Sequence, residues 1–470
     1  MPLLVLSIAG CGSRSSVEPE VRVSRAAMPV AGQFITLTAD GTHIINSITN
    51  KPVFMTGDAP QLLIVQVSDA AVETYLADRA ARKFNALWVL ATDFVNQANA
   101  PKNFYGDVPF DGPDFTKEDP KYWAHVDHVV QRAQAYGITL LINPAFVGLD
   151  HKGGYVESYL KSSDAVLRTF GEWIGNRYKS YPNILWQLGG DSNTPHIKGL
   201  KHKILQLAIG LATADPNHLI TSEECPVGVC GEGFNATLDI WDGAPWVGLN
   251  GNYAQYGQVQ SQCSVQYGKM TTYPNVPPFQ TEDWYEGEHS MTELQVREEA
   301  YWEVLSGCYL GRFFGNNAIW TMGGPQGDMG QTWQSQLSSI GSLGQQYMGA
   351  LMRSREHWLM VPDQNHVTLT AGYGSGPTIS VAARASDGQT IIAYIPNGNT
   401  TTITIDLSKI TSKKHQAMCW WFDPRTAEVT RIGPLANAGT HNFTAPDASD
   451  WVLVIDDAAT RLPLPGKAEL

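Results

Sequence analysis

Seven acids stand at the ends of short apolar runs: Asp58, Asp93, Asp191, Glu223, Glu224, Glu282 and Asp283. In a closed α/β barrel the C-terminal ends of the strands converge on one rim, so the fold alone brings acids so placed together. The sharpest pair is Asp191, after Ile184-Leu-Trp-Gln-Leu188-Gly-Gly190, and Glu282, after Pro278-Phe-Gln-Thr281. The two glycines let the backbone turn tightly and lift Asp191 clear of its strand. Two carboxylates facing each other across such a mouth can cleave a glycosidic bond. One protonates the leaving oxygen while the other attacks the anomeric carbon or activates water. Alone, Asp191 could equally cap a helix or brace a turn; its pairing with Glu282 decides for chemistry. Asn193, Tyr253, Trp284, Tyr285 and Trp320 are candidate sugar contacts, with packing as the competing role. Asp58 can hydrogen-bond a substrate hydroxyl or brace its turn, and Glu286 is expected behind Glu282, orienting it. His151, His196 and His289 are expected near the rim in structural roles.

The elements that must position these residues follow a strand-then-helix rhythm. Strands are predicted at 53–56, 86–91, 138–142, 184–188, 218–222, 246–250, 278–281 and 311–320. Helices are predicted over 72–84, 123–136, 163–178, 196–214, 292–306 and 333–355, and a small hairpin in 34–54. Eight such units without a dinucleotide fingerprint indicate a TIM (β/α) barrel over residues 33–357. Beyond it the texture becomes short alternating strands at 379–383, 389–395, 401–407, 418–422 and 451–455. These predict a small C-terminal all-β sandwich over 358–460.

Composition narrows the partners. The 470 residues suggest two domains, and 43% hydrophobic content supplies large cores. A net charge of −13 argues against nucleic acid and anionic membrane, both of which need basic patches. Residues 1–11, ending Ile8-Ala-Gly-Cys11, resemble the tail of a lipoprotein signal that is cleaved and acylated at Cys11. They are too short to span a bilayer. Residues 12–32 read as a tether, so export is expected, with membrane attachment only through the lipid. Cys225-Pro-Val-Gly-Val-Cys230 is spaced to close a small disulfide loop. No His/Cys cluster or cofactor motif appears, so neither a metal nor a cofactor is expected.

The residues also carry a family resemblance. Asn183-Ile-Leu-Trp-Gln-Leu-Gly-Gly-Asp191-Ser-Asn193 resembles the Asn-Ile-x-Trp-x-Leu-Gly-Gly-Asp signature of the apiosidase-like glycoside hydrolases. Thr281-Glu282-Asp-Trp-Tyr285-Glu286 resembles that family's Glu-x-x-Tyr-Glu segment, and Gly311-Arg-Phe-Phe-Gly315-Asn-Asn-Ala-Ile319-Trp320 its eighth-strand stretch. Tyr394-Ile-Pro396 and Trp421-Phe-Asp-Pro-Arg425 are similar to the β-domain, named for collagen binding, that often follows. The resemblance implies a barrel with Asp191 as general acid/base and Glu282 as nucleophile. One departure stands out: the family's first strand commonly ends Gly-Asp-x-x-Trp, and here it ends Gly57-Asp58-Ala59-Pro60-Gln61. The expectation is therefore a glycoside hydrolase, retaining, acting on a polysaccharide or its side chains. The rivals are a non-catalytic carbohydrate-binding or adhesion protein on the same barrel and, more weakly, metal-assisted hydrolysis.

Overall fold

The computed structural model describes residues 35–93, 100–151, 154–226, 228–229, 234–324, 330–396 and 402–469. The signal segment, Cys11, the tether and Cys230 lie outside these.

Eight parallel strands form the barrel: Met55–Asp58, Ala86–Leu90, Thr139–Asn143, Ile184–Ser192, Ile220–Glu224, Asn250–Tyr253, Pro278–Glu282 and Gly311–Phe314. Neighbours in space are neighbours in chain order, and the eighth strand closes onto the first from Gly311↔Met55 to Phe314↔Asp58. The ladder is interrupted between strands five and six, where a side chain takes its place. The Thr237 hydroxyl accepts from the Ser222 and Gly251 amides at 3.2 and 3.1 Å and donates to the Ser222 carbonyl at 2.6 Å.

The strands are buried on both faces, which is why they read as continuous apolar runs. Alternate residues divide between two cores. Trp88, Leu141, Leu185, Phe279 and Phe313 fill the barrel interior, while Leu87, Val89, Leu140, Ile142, Ile184 and Trp186 pack under the helices. The barrel is thus a packed core, and only its rim is open to chemistry. Polar N-caps set where the helices begin. Ser68, Asp119, Ser163 and Ser339 each accept from a first-turn amide, and Thr292 and Gln295 form a capping box.

Several boundaries differ from expectation, most by two to four residues, and three differ in kind. The sixth strand starts at Asn250 instead of 246, because the Gly248 and Leu249 amides both turn onto the Ile220 carbonyl. The eighth stops at Phe314, where Asn316 caps a short helix, Asn317–Trp320. The long helix predicted over 333–355 is two pieces, Trp333–Gln336 and Ile340–Arg353.

The C-terminal part has a six-stranded and a three-stranded antiparallel sheet. Ile391, Ala393, Ile395, Leu453 and Ile455 face the small sheet. Their neighbours Ile392, Tyr394, Val452 and Val454 join a core with barrel residues Tyr301, Val304, Met348 and Leu351. The interface also holds two buried ion pairs, Arg297 with Asp450 at 2.9 Å and Arg355 with Asp456 at 2.7 Å. A disulfide joins Cys263 to Cys308, residues whose spacing gave no sign of pairing. Cys225 is also disulfide-bonded.

Candidate active site

The Gly-Gly-Asp stretch is a bulge within the fourth strand. Gly189 pairs with Glu223 and Ser192 with Glu224, so Gly190 and Asp191 are two extra residues facing none. Residues 189, 190 and 191 have φ of 74°, 95° and 48°, consecutive left-handed conformations. A Cβ on Gly189 would sit 2.2 Å from the Glu223 carbonyl oxygen, and one on Gly190 2.3 Å from Phe146. The bulge is pinned from the third strand's side by Asn143 Nδ2 and the Val147 amide, both on the Gly189 carbonyl at 3.0 Å. Asp191 itself tolerates a backbone conformation that disfavours most side chains, and the result points its carboxylate into the mouth.

There it meets two others. Asp191, Glu223 and Glu282 each place a carboxylate oxygen within 4.8 Å of the rest. Glu223 is fully buried at the end of the fifth strand; its Oε1 accepts the Asp191 amide at 3.2 Å and its Oε2 accepts from Gln187 Nε2. Glu282 is 8% exposed at the end of the seventh. Burial pushes the Asp191 carboxyl up to about 6. Burial, followed by the charge of its acidic neighbours, pushes Glu223 and Glu282 well above the usual carboxylate range. A hydrogen bond from Tyr285 opposes this at Glu282. Three acids this close could also surround a divalent cation, although protein donors already occupy both Glu223 oxygens.

The other predicted residues divide sharply. Tyr253 stands opposite Glu282 in register, and burial and all three acids hold its phenolic proton firmly in place. Tyr285 is buried, and its hydroxyl accepts from Gln61 Nε2 at 2.6 Å, which leaves its own proton for Glu282. Gly315 makes room for the ring; a Cβ there would lie 1.9 Å from it. Gln61, where the family commonly has Trp, thus belongs to the site by touching Tyr285. Asn193 is half-buried, with Oδ1 lacking a partner among the described residues. Trp320 is half-buried and donates to Asn317 Oδ1 at 3.0 Å. Trp284 stacks on His289, centroids 4.4 Å apart, with Tyr256 at 6.5 Å, so packing engages much of its ring.

Two expectations are corrected. Asp58 is fully buried, its carboxylate taken up by Arg79 at 2.7 Å, the Tyr75 hydroxyl and the Ala59 amide. It braces its turn and has no atom for a sugar. Glu286 does not orient Glu282. Its oxygens accept from Asn316 Nδ2 and the Gly341 amide, both at 2.8 Å, fastening the loop after the seventh strand to the turn after the eighth and to the start of the helix Ile340–Arg353. His151 and His196 are exposed, and His151 pairs with Glu157 at 2.6 Å.

Sequence reasoning placed Glu223 among the strand-end acids but assigned it no role. The signal available was its position: it ends the strand beside Asp191. Glu224, its neighbour, points the other way into Trp241, Ser222 and Ser192, at 2.7, 2.8 and 3.1 Å. Glu288 carried no sequence signal. Burial raises it to about 7, and the Asp191 charge adds to that; the Tyr285 amide and the Trp320 indole oppose the rise.

A TIM barrel whose strand ends gather carboxylates in this way has the architecture of a glycoside hydrolase. Residues 39–359 match the family model "Apiosidase-like, catalytic domain", and residues 361–456 match "Putative collagen-binding domain of a collagenase". The chain belongs to the apiosidase-like family, and the enzyme is a glycoside hydrolase acting on carbohydrate. Two solved structures share the fold over nearly the whole chain. One, described as a glycoside hydrolase, has a TM-score of 0.77 at 22% identity, covering 92% of this chain and 99% of its own. The other, a glycoside hydrolase family 5 protein from Bacteroides vulgatus, has a TM-score of 0.79 at 21% identity, covering 95% and 98%. No curated protein matches the chain by sequence.

Proposed function

We propose that the enzyme hydrolyses a glycosidic bond in a polysaccharide or its side chains with retention, Glu282 acting as nucleophile and Asp191 as acid/base. The observation that carries this is the oxygen separation of no more than 4.8 Å. Oxygens this close favour the short carboxyl separation of a retaining pair, about 5–5.5 Å, over the roughly 6.5–9.5 Å of an inverting pair. Glu282 attacks the anomeric carbon as the bond to the leaving oxygen breaks, and Asp191 gives that oxygen its proton. Asp191 then takes a proton from water, which attacks the same carbon and frees Glu282. A carboxyl raised to about 6 is suited to both halves, since it holds a proton near neutrality and releases it readily. Apiosyl linkages are a substrate suggested by the family alone.

The test is turnover by Asp191→Asn and Glu282→Gln on polysaccharides and aryl glycosides, with the product anomer read by NMR. Each variant should lose about a thousandfold or more while remaining folded. Asp191→Asn should spare good aryl leaving groups relative to sugar ones. Near-full activity in either variant, or an inverted product, would overturn the assignment. We also propose attachment through a lipid on Cys11. Labelling with a radioactive fatty acid should mark the wild type and miss Cys11→Ser; equal labelling of the two would exclude it.

A further inference from the structure

Glu282 reaches the mouth because its strand breaks step one residue earlier. Phe279 fills the barrel interior, and Gln280 turns outward, its Oε1 lying 3.5 and 3.7 Å from the sulfurs of Cys263 and Cys308. Thr281 turns inward again, towards Gly251, where a Cβ would meet its Cγ2 at 2.7 Å. Strict alternation would then send Glu282 towards the helices and Asp283 into the mouth. The reverse is found: Glu282 joins Asp191 and Glu223, while Asp283 meets Arg312. The reversal falls on a bulge. Asn252 pairs with Gln280 and Tyr253 with Glu282, which leaves Thr281 facing no residue.

Side chains hold that bulge. Gln280 Nε2 donates to the Glu282 carbonyl at 2.6 Å, and Gln280 Oε1 accepts from Asn252 Nδ2 at 2.6 Å. The Thr281 hydroxyl donates to the Asn252 carbonyl at 2.8 Å. Gln280 and Asn252 are fully buried, and Thr281 nearly so. The bulge before Asp191 is fastened in the same way, by Asn143 Nδ2 on the Gly189 carbonyl at 3.0 Å.

We propose that Gln280 is a positioning residue for the reaction: its carboxamide keeps the bulge at Thr281, so that Glu282 and not Asp283 enters the mouth. It acts through the backbone of the nucleophile and touches no sugar. This rests on the role given above to Glu282.

Gln280→Met fills nearly the same space without hydrogen bonds. It should lose about a hundredfold in kcat while KM stays within about threefold, beside a melt showing the protein folded. Gln280→Glu keeps the shape. Its carboxyl can donate to the Glu282 carbonyl while protonated and not once ionised. Its kcat relative to wild type should therefore lie within about tenfold at pH 5 and fall about tenfold further by pH 9, whether or not the Met variant folds. A Met variant within about threefold of wild type in kcat, or a Glu variant whose ratio to wild type ignores pH, would overturn the proposal. A crystal structure of the Met or the Glu variant, the latter grown at pH 9, reads the geometry without turnover. The Glu282 carboxylate should stand about 1 Å or more from its wild-type place; an unmoved carboxylate would overturn the proposal. A wild type inactive on every glycoside would refute the catalytic reading and leave the crystallographic result standing.

Discussion

Glu282 and Asp283 are consecutive residues, both buried, in opposite surroundings. Glu282 turns into the mouth among other acids. Asp283 turns outward onto Arg312, which also holds Glu303 at 2.5 Å and reaches Gln345 at 3.2 Å. Arginine likewise meets three more buried acids of the barrel wall and the domain interface: Asp58 has Arg79, Asp450 has Arg297 and Asp456 has Arg355. Burial still raises Asp58 and Asp456, but in both the arginine pulls the other way. At the mouth only hydrogen bonds oppose it. Among the described residues these acids have an arginine and the three acids of the mouth form no ion pair, which separates two uses of burial. Paired acids tie elements together, while unpaired ones keep protons that can be moved.

The comparison breaks most visibly at Arg312. Replacing it with Met leaves two buried acids uncompensated, a cost of about 3–5 kcal/mol. A large drop in melting temperature or failure to fold is expected; a stable variant would mean the wall acids need no partner. Gly190→Ala should follow. Its Cβ would meet Phe146 at 2.3 Å with φ at 95°, so the bulge must shift. A displacement of Asp191 of about 1 Å would cost roughly a hundredfold in kcat, measured beside a melt showing the protein still folded.

Asp191→Asn should have the opposite sign in stability. The folded carboxyl is raised from 3.8 to about 6, so the native state holds its proton more tightly than the unfolded chain does. The fold is penalised progressively as pH rises through that interval, and fully above it. The variant should therefore melt about 2–4 °C above wild type at pH 8, with the gain gone below pH 4. A loss at pH 8 would place Asp191 with the braced acids. Smallest is Glu286→Gln, which leaves acceptor oxygen on a residue that ties loops. Turnover should stay within about twofold and stability within about 1 kcal/mol. A hundredfold fall in kcat would extend the mouth's electrostatics to this residue.

Much of this was legible from one chain. Strand-end positions identified the acids, and the Gly-Gly before Asp191 announced an unusual backbone. Whether that backbone was a turn or a bulge depended on pairing with the fifth strand, which lies more than thirty residues away in the chain. Asp58 and Glu286 misled for a related reason. An acid at a strand end reads the same whether Arg79 or a sugar stands opposite, and Arg79 comes from the next helix. Gln61 looked like a missing platform, and its partner Tyr285 comes from beyond the seventh strand, which lies two strands away in the barrel and more than two hundred residues on in the chain. Both faces of the central sandwich strands are buried, so alternation there could not reveal which face meets the barrel.

The sequence by itself determined the barrel, the β-sandwich, the family and two acids that the fold brings together at the mouth. Those follow from local periodicity, turn chemistry and motif spacing. Only the tertiary structure decided what each acid faces. Burial and charge act across space, between residues that the chain keeps far apart. The mouth's third carboxylate and its missing cation therefore emerged only with the fold.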